Sequence, residues 1–387
     1  MSQIIEDLKK ESDEDLLVYI SMVDEPEVRN VAFTEFHRRF KDFLWNLITQ
    51  ICSSHYDSDD LAKAVFHLHA VNRAEKCVFS KKVRREKLME FVLGLPRCVI
   101  YMEACGSAHY WGRRFEDAGY EVRLIAGQHV KRFVVGNKDD ANDAQAIVIC
   151  GLRPTTRFVP LKSARQLELQ ALHRVRSRLV RERTALANEI RGLLYEHGII
   201  MAKGRAKLCE KLTAICNELP SLLRETVEDL KIELRQKEER VKYYEQLINR
   251  ETRGNETVRR LMSIPGVGLI TAAAVVAEVG NPREFKNGRN FSAFLGLVPK
   301  HTGTGGRTTQ LSISKRGDKY IRTLLVQGAQ SALRFTASKS DKLSSWCEET
   351  KRRRGIHKAA VALANKNARI IWRLMTTDEI FRPDLAA

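Results

Sequence analysis

Residues Cys98–Cys150 carry the clearest indication of the fold, and they read CVIYMEACGSAHYWGRRFEDAGYEVRLIAGQHVKRFVVGNKDDANDAQAIVIC. Its first residues form a short apolar run that predicts a strand ending at Glu103. A helix should follow, capped by Ser107 and ended by Gly119, because glycine adopts the left-handed conformation most easily. Residues 120–126 predict a second strand. Such a strand–helix–strand unit is typical of a parallel α/β layer.

Three carboxylates in this stretch are candidates for a metal site. Glu103 stands at the predicted strand end, while Asp140 and Asp143 lie three apart on one face of the next helix. Carboxylates in such positions can converge on Mg²⁺, and paired ions hold the attacking and leaving oxygens of a phosphodiester. The alternative is a set of solvated acids, with Asp140 favoured by the dipole at the start of its helix.

The sequence motifs resemble those of the insertion sequence 110 family of transposases. Six motifs in family order carry the resemblance from about Asp60 almost to the C-terminus: MEACGSAHYW at 102–111, KDDANDA at 138–144, IPGVG at 264–268, FLGLVP at 294–299, ISKRGDKYIRTLL at 313–325 and KAAVALANKNARI at 358–370. The resemblance implies a RuvC-like domain of the RNase H fold with a D-E-D-D set. A helical segment and a C-terminal transposase domain should follow it.

The resemblance also implies a mechanism and partners. It assigns the four acidic places to Asp60, Glu103, Asp140 and Asp143, and it implies Mg²⁺ as the ion they hold. The expected reaction is cleavage and exchange of DNA strands, guided by a structured RNA. A homodimer or homotetramer is expected, formed through the helical segment.

The composition agrees with a nucleic-acid partner. The 387 residues carry a formal charge of +18, which suits a polyanion, although a basic protein can also be soluble without binding one. The 8 cysteines show no metal-binding spacing, and no apolar run is long enough to span a bilayer. We therefore expect a soluble cytoplasmic protein.

The first sixty residues differ from the rest in charge, with 14 acidic and 6 basic side chains. Residues 1–59 are predicted to be a separate helical segment, in which Glu27–Cys52 forms one amphipathic helix. This segment resembles the truncated start of region two of extracytoplasmic-function sigma factors, which grips RNA polymerase. The polar residues just before Asp60 cannot form the buried strand that carries the first aspartate in the family. The sequence therefore predicts an RNase H-like domain without its first strand, in which Asp60 is either catalytic or a solvated acid.

Residues 159–256 are predicted to be a helical spacer. Ser163–His197 reads as a long helix ended by Gly198, and apolar side chains recur in it every seven residues. The same repeat follows Pro220, as Val227, Leu234, Val241 and Ile248. Heptads of this length predict an antiparallel helical hairpin or a coiled coil, either within one chain or between protomers.

Residues 257–387 contain a predicted helix-hairpin-helix. Leu261–Gly280 has the form of two helices joined by a turn that contains Pro265, Gly266 and Gly268. Glycines let the backbone approach a phosphate, and the amides at the next helix's N-terminus meet its charge. A helical turn without a ligand is the alternative.

The second C-terminal feature is the glycine-rich loop Lys300–Arg307. In the family, a serine of this loop is thought to attack DNA; Thr304 matches that position here, and Thr302 is the next best match. Lys300, Arg307, Lys315 and Arg316 are the expected DNA-binding cations around it. Either threonine can instead be an ordinary turn residue.

The sequence thus predicts an α/β RuvC-like domain over 60–158, the spacer and a helical DNA-binding domain. The function predicted is that of a transposase or recombinase. Three alternatives stay open: a DNA- or RNA-binding remnant without a working metal site, a RuvC-like nuclease that cuts branched DNA, and a protein that docks on RNA polymerase through its first sixty residues.

Overall fold

The computed structural model describes residues 46–51, 65–136, 139–202, 204–304, 307–377 and 379–383. Most of the predicted sigma-like segment, and Asp60, lie outside these residues. The chain divides into two units, residues 1–163 and residues 164–387.

A six-stranded mixed sheet lies at the centre of the first unit. Its strands are β1 (Asn46–Ile51), β2 (Val65–Val71), β3 (Cys77–Arg84), β4 (Val99–Glu103), β5 (Glu121–Ile125) and β6 (Phe158–Val159). Their order across the sheet is β3-β2-β1-β4-β5-β6. Strands β2 and β3 form an antiparallel hairpin, and the predicted parallel pairing of β4 with β5 is confirmed.

Helices cover both faces of this sheet. They are α1 (Leu88–Leu93), α2 (Ala108–Asp117), α3 (Gly127–Val130) and α4 (Asp140–Leu152). On one face Phe66 and Met102 pack against Phe115 of α2 in the main core. On the other face Val71 and Tyr101 pack against α4 in a smaller core. Alternate residues of each strand therefore serve the two cores.

Strand β1 corrects two predictions from the sequence. Residues Asn46–Ile51 form a strand, so the predicted helix over Glu27–Cys52 is wrong in its last turns. The strand lies between β2 and β4, where it pairs antiparallel with the first and parallel with the second. The position of the supposedly missing first strand is therefore filled. Its composition, NLITQI, includes three β-branched residues, and backbone hydrogen bonds from two neighbours override a weak helical pattern.

The predicted cap of α2 is also wrong in detail. Ser107 has a left-handed backbone, with φ of 63°, and its side chain makes no capping hydrogen bond. At the other end the prediction holds, because Gly119 adopts a φ of 84° directly after the helix. The tight turn between β4 and α2 decides the conformation of Ser107, and residue type alone does not reveal it.

Two long antiparallel helices begin the second unit. They are α5 (Ala164–Glu196) and α7 (Ser221–Thr252), with the shorter α6 (Arg205–Ile215) between them. The predicted heptad residues of α7 are buried, and Arg176 of α5 pairs with Glu245 of α7 at 2.6 Å. The pairing therefore occurs within one chain. In the last turns of α5 the pattern shifts, so that Leu194 is buried and Leu193 is only partly covered.

In the rest of the second unit, the described residues form helices packed on a common core and an antiparallel β-ribbon. The helices are α8 (Glu256–Leu261), α9 (Leu269–Glu278), α10 (Gly288–Phe294), α11 (Lys319–Ala332), α12 (Lys342–Arg354) and α13 (Ile356–Thr376). Strands β7 (Pro299–Thr304) and β8 (Arg307–Ile313) form the antiparallel ribbon. The segment predicted as a glycine-rich loop is therefore largely extended. In the described residues, no helix has the length and apolar character needed to cross a membrane.

Candidate active site

Strand β4 delivers Glu103 to the sheet face that α4 covers. Met102 points into the core beneath α2, whereas Tyr101 belongs to the core beneath α4. Alternation along the strand places Glu103 on the same side as Tyr101. Glu103 is half-buried at the last position of the strand, where the chain turns towards α2.

Helix α4 begins with the two predicted aspartates. Asp140 and Asp143 both lie in its first turn, and both are half-buried. Asp139 occupies the N-cap position with an extended backbone and makes no capping hydrogen bond through its side chain. The positive end of the helix dipole stabilises the negative charges gathered there. This arrangement is compatible with a metal site and also with the simpler role of charges at a helix start.

Two glycines fix these carboxylates relative to one another. Gly151 of α4 faces the ring of Tyr101, and a methyl group at position 151 would lie 2.6 Å from that ring. The missing side chain lets α4 lie directly on β4. At the start of α3, a methyl group on Gly127 would overlap the carboxyl group of Glu103. The backbone of Gly127 therefore limits where that carboxylate can point.

Strand β2 contributes two buried histidines that the sequence analysis missed. Phe66 and Leu68 point into the core beneath α2, so His67 and His69 face the side of α4. Each histidine is only 8% exposed. His67 Nε2 lies 2.8 Å from Ser80 Oγ on β3, whereas its Nδ1 is buried without a hydrogen-bond partner in the described residues. The alternation in AVFHLHAV was the signal that placed both imidazoles on one face.

Electrostatics connect these histidines to the carboxylates. Burial lowers the pKa of His67, the charge of Lys82 lowers it further, and the charges of Asp140 and Asp139 raise it. His67 therefore lies within electrostatic range of both the first turn of α4 and a lysine of β3. Burial also lowers the pKa of His69. On the other side of the site, burial and then the charge of Glu103 raise the pKa of the Cys105 thiol to about 11, which keeps it protonated.

The first unit thus brings three of the four predicted acids to one face of the sheet. Asp60, the fourth, lies outside the described residues. Within the part of the chain that is described, no group of three acidic, histidine or cysteine side chains is close enough to hold a metal ion. The chemistry of the donors nevertheless fits a hard divalent ion, because Glu103, Asp140 and Asp143 offer carboxylate oxygens only.

The predicted phosphate-binding turn joins α8 to α9 in the second unit. Gly266 has a φ of 84° and lies against the backbone of Gly328, and Asn367 donates a hydrogen bond to the carbonyl of Pro265 at 2.9 Å. Pro265 and Gly266 are therefore engaged in contacts within the protein. Gly268 is exposed at the N-cap of α9, and a side chain there would meet open space.

The ribbon carries the remaining predicted residues. Lys300, Thr302 and Arg307 are exposed along it, and Lys315 and Arg316 are exposed just beyond β8. Thr304 is the last residue of β7, and its side chain lies outside the described part of the structure.

The base of the ribbon is closely packed. A methyl group on Gly296 would lie 2.7 Å from the backbone nitrogen of Arg316, and Gly317 lies against the carbonyl of Phe294. Arg322 is buried beneath this crossing and donates hydrogen bonds to the carbonyls of Leu295, Gly317 and Asp318.

Comparison with known proteins identifies the chain. Residues 258–345 match the model described as the transposase IS116/IS110/IS902 family, and residues 59–199 match a DEDD transposase domain of the IS110 type. A probable family 20 transposase from Pseudomonas aeruginosa is 47% identical over 329 residues, which cover 84% of this chain and 97% of that relative. The chain belongs to the IS116/IS110/IS902 family of transposases.

Further relatives extend the likeness of this transposase. The transposase for insertion sequence element IS1111A from Coxiella burnetii is 42% identical over 84% of the chain and 90% of the relative. The transposase for insertion sequence element IS1328 from Yersinia enterocolitica is 36% identical over 83% of the chain and 97% of the relative. Glu103, Asp140 and Asp143 fall within the first matched region of the transposase, and the turn and ribbon fall within the second. Neither region supports the predicted likeness of residues 1–59 to a sigma factor.

Proposed function

We propose that this transposase cuts and exchanges DNA strands at a divalent metal site formed by Glu103, Asp140 and Asp143, with Asp60 as the fourth ligand. The observation that carries the proposal is the shared position of three carboxylates. One ends β4 and two begin α4, on the same face of the sheet. Gly127 lies directly against the carboxyl group of Glu103 and restricts where this proposed ligand can point.

Mg²⁺ is the ion we propose, because all the donors are carboxylate oxygens. When bound, it stabilises the charges that develop on the attacking and leaving oxygens of a phosphodiester. The chain's own residues would orient the ligands: Gly127 restricts Glu103, and the helix dipole at the start of α4 favours ionised Asp140 and Asp143.

The hydroxyl group that attacks DNA is proposed to be that of Thr304, with Thr302 as the second candidate. The threonine oxygen would form a bond to phosphorus as the bond to the leaving strand's oxygen breaks. The hydroxyl proton is released, and the leaving oxygen gains a proton. Lys300 and Arg307 extend from the same ribbon, so their charges would hold the phosphate that is attacked.

DNA positioning is proposed for the exposed cations Lys315 and Arg316 and for the turn before α9. Of the three turn residues, Gly268 is the best candidate for a phosphate contact, because it is exposed at a helix N-terminus. Pro265 and Gly266 would support it from within. A structured guide RNA, and a homodimer or homotetramer, are proposed from the family resemblance alone.

The test is cleavage of DNA that carries the element's ends, supplied with its cognate RNA, in Mg²⁺. We expect Glu103→Gln and Asp140→Asn to lose cleavage by a factor of about 100 or more while DNA affinity is retained, because these acids would hold the metal ion and are not needed for contacts to the DNA backbone. Asp117→Asn is the matched control, since Asp117 is an exposed acid at the end of α2. It should cleave as the unchanged protein does.

Other outcomes would select among the alternatives. An intact chain that binds the DNA but never cuts it would support a binding remnant. Cleavage of branched DNA without the element's ends would support a structure-specific nuclease. Cleavage that survives both acidic substitutions would refute the proposed metal site.

A further inference from the structure

Strand β3 has two very different faces. Lys81 lies over the ring of Phe91, and Phe79 and Val83 are buried in the core beneath α2. The alternate residues Ser80, Lys82 and Arg84 are exposed on the opposite face, the one that α4 partly covers. Helix α4 lies across β1, β2 and β4, so it leaves this part of β3 open. We call Ser80, Lys82 and Arg84 the β3 ledge.

The register of the sheet aligns the β3 ledge with the carboxylate site. Lys82 pairs with His67, and His67 pairs with Gln50 of β1. Strand β1 also pairs with β4 through Ile48 and Tyr101. Continuing that parallel pairing by two residues brings Glu103 to the level of Gln50. Lys82 and Glu103 therefore lie on the same face of the sheet and in the same row across its strands. They are three strand spacings apart, or roughly 14 Å.

The described side chain between them is polar. His67 lies between the two positions, bonded to Ser80 of the ledge and within electrostatic range of both Lys82 and Asp140. Its Nδ1 is buried without a hydrogen-bond partner in the described residues. A buried polar side chain therefore lies between the cations of β3 and the acids of α4.

Within the described residues, the charges of the β3 ledge have no ionic partner. Neither Lys82 nor Arg84 forms an ion pair with a carboxylate in that part of the chain, and the segment Lys76–Lys87 contains six basic residues and one acid. Unpaired cations beside an acidic centre are complementary to a phosphate backbone that leads to that centre. A span of roughly 14 Å corresponds to about four base-pair steps along the axis of a B-form duplex, at 3.4 Å each.

We infer that the β3 ledge binds the backbone of the DNA strand that enters the carboxylate site, through phosphate contacts from Lys82 and Arg84. The inference rests on the proposed function, because it assigns to that site a path for its substrate. Such contacts position a strand without reading its sequence. They also neutralise phosphates close to the negative charges of α4.

A simpler role for charges on β3 makes a different prediction. β3 is an edge strand, and charged side chains on an edge prevent pairing with other sheets. Either sign of charge serves that purpose. If the charges only protect the edge, the variant Lys82→Glu/Arg84→Glu should remain soluble and monodisperse and should keep its DNA affinity. If they bind DNA, the same variant should remain soluble but lose DNA affinity.

The experiment measures affinity for element-end DNA by fluorescence anisotropy over a range of salt concentrations, in EDTA so that nothing is cut. For Lys82→Ala/Arg84→Ala we expect at least tenfold weaker binding at low salt. The slope of log K against log salt should be smaller by about 2, because each lost phosphate contact contributes about 0.9. The Glu/Glu variant should bind more weakly still, and Lys82→Arg should bind as the unchanged protein does.

The matched control is Lys87→Ala, which removes an exposed lysine just beyond β3 that pairs with Glu90 at 3.4 Å. It should change neither affinity nor slope. The inference is overturned if the double alanine variant keeps the affinity and slope of the unchanged protein. It is also overturned if that variant loses affinity only for the element's structured RNA, which would make the ledge an RNA surface. Failure of the proposed function is separate, since it would appear as absent cleavage in Mg²⁺ by the unchanged chain.

Discussion

Gly127 lies directly against the carboxyl group of Glu103. A methyl group at position 127 would lie 3.1 Å from Glu103 Cδ and still closer to Oε1. The two residues come from neighbouring connections, one at the end of β4 and the other just after β5, which pair in parallel. Because Gly127 has no side chain, its backbone lies in direct contact with the carboxylate of Glu103.

Gly127→Ala should displace Glu103 and leave the fold intact. Because a misplacement of about 1 Å can reduce a reaction rate about 100-fold, we expect a loss of that order in DNA cleavage. The measurement is single-turnover cleavage in Mg²⁺ together with thermal unfolding. Gly192→Ala is the control, because nothing lies within 4 Å of a methyl group at that position in α5. An unchanged cleavage rate in Gly127→Ala would contradict the positioning role.

Gly328→Ala tests whether the turn before α9 is fixed by packing. Alanine is favoured over glycine within a helix by about 1 kcal/mol, so the change should stabilise α11 if space were available. Here a methyl group would overlap the carbonyl oxygen of Gly266. We therefore expect the free energy of unfolding to fall by about 1–3 kcal/mol, as in overpacked cores. Urea denaturation measures it, and a stabilised Gly328→Ala protein would refute the close contact.

The sequence predicted much of this arrangement because local patterns decide it. The run before Glu103 and the helix that begins at Asp140 follow directly from apolar periodicity and from charges at a helix start. The heptads of α7 correspond to a buried row for the same reason. All these features lie within one segment or between adjacent segments.

What the sequence did not reveal depends on distant partners. Asn46–Ile51 forms a strand because β2 and β4 supply hydrogen bonds on both sides, and those strands follow in the chain. The contact of Gly127 with Glu103 and that of Gly266 with Gly328 likewise join separated segments. His67 was visible in an alternating pattern, but only the register with β3 and β1 places it between Lys82 and Glu103.

Arg322→Met should weaken the base of the ribbon. The buried guanidinium of Arg322 donates hydrogen bonds to three carbonyls at 3.0–3.4 Å, and methionine fills similar space without donors. Leaving buried carbonyls unpaired costs about 1–3 kcal/mol, so the free energy of unfolding should fall by that amount. Proteolysis within Lys300–Arg307 should become faster. Arg334→Met, at an exposed position just after α11, is the control, and equal proteolysis of both variants would contradict this role.

His173 should make the stability of the protein depend on pH. The imidazole is buried on α5, with Nδ1 3.2 Å from the hydroxyl of Tyr320. Burial, and then the charge of Arg176, lower its pKa from 6.5 to about 4. Between these two values the unfolded chain binds a proton that the folded chain excludes. The stability contributed by the neutral imidazole is therefore fully present above pH 6.5 and is lost as the pH falls towards about 4.

The expected loss from this histidine is about 2 kcal/mol between pH 7 and pH 5. Replacing His173 by glutamine removes the titrating group, so the free energy of unfolding should vary less with pH by that amount. Urea denaturation at both pH values measures the difference for the full chain. His197→Gln, at an exposed position beyond α5, should retain the steeper pH dependence of the unchanged protein. If His173→Gln shows the same steep pH dependence as the unchanged protein, the lowered pKa of His173 is not its cause.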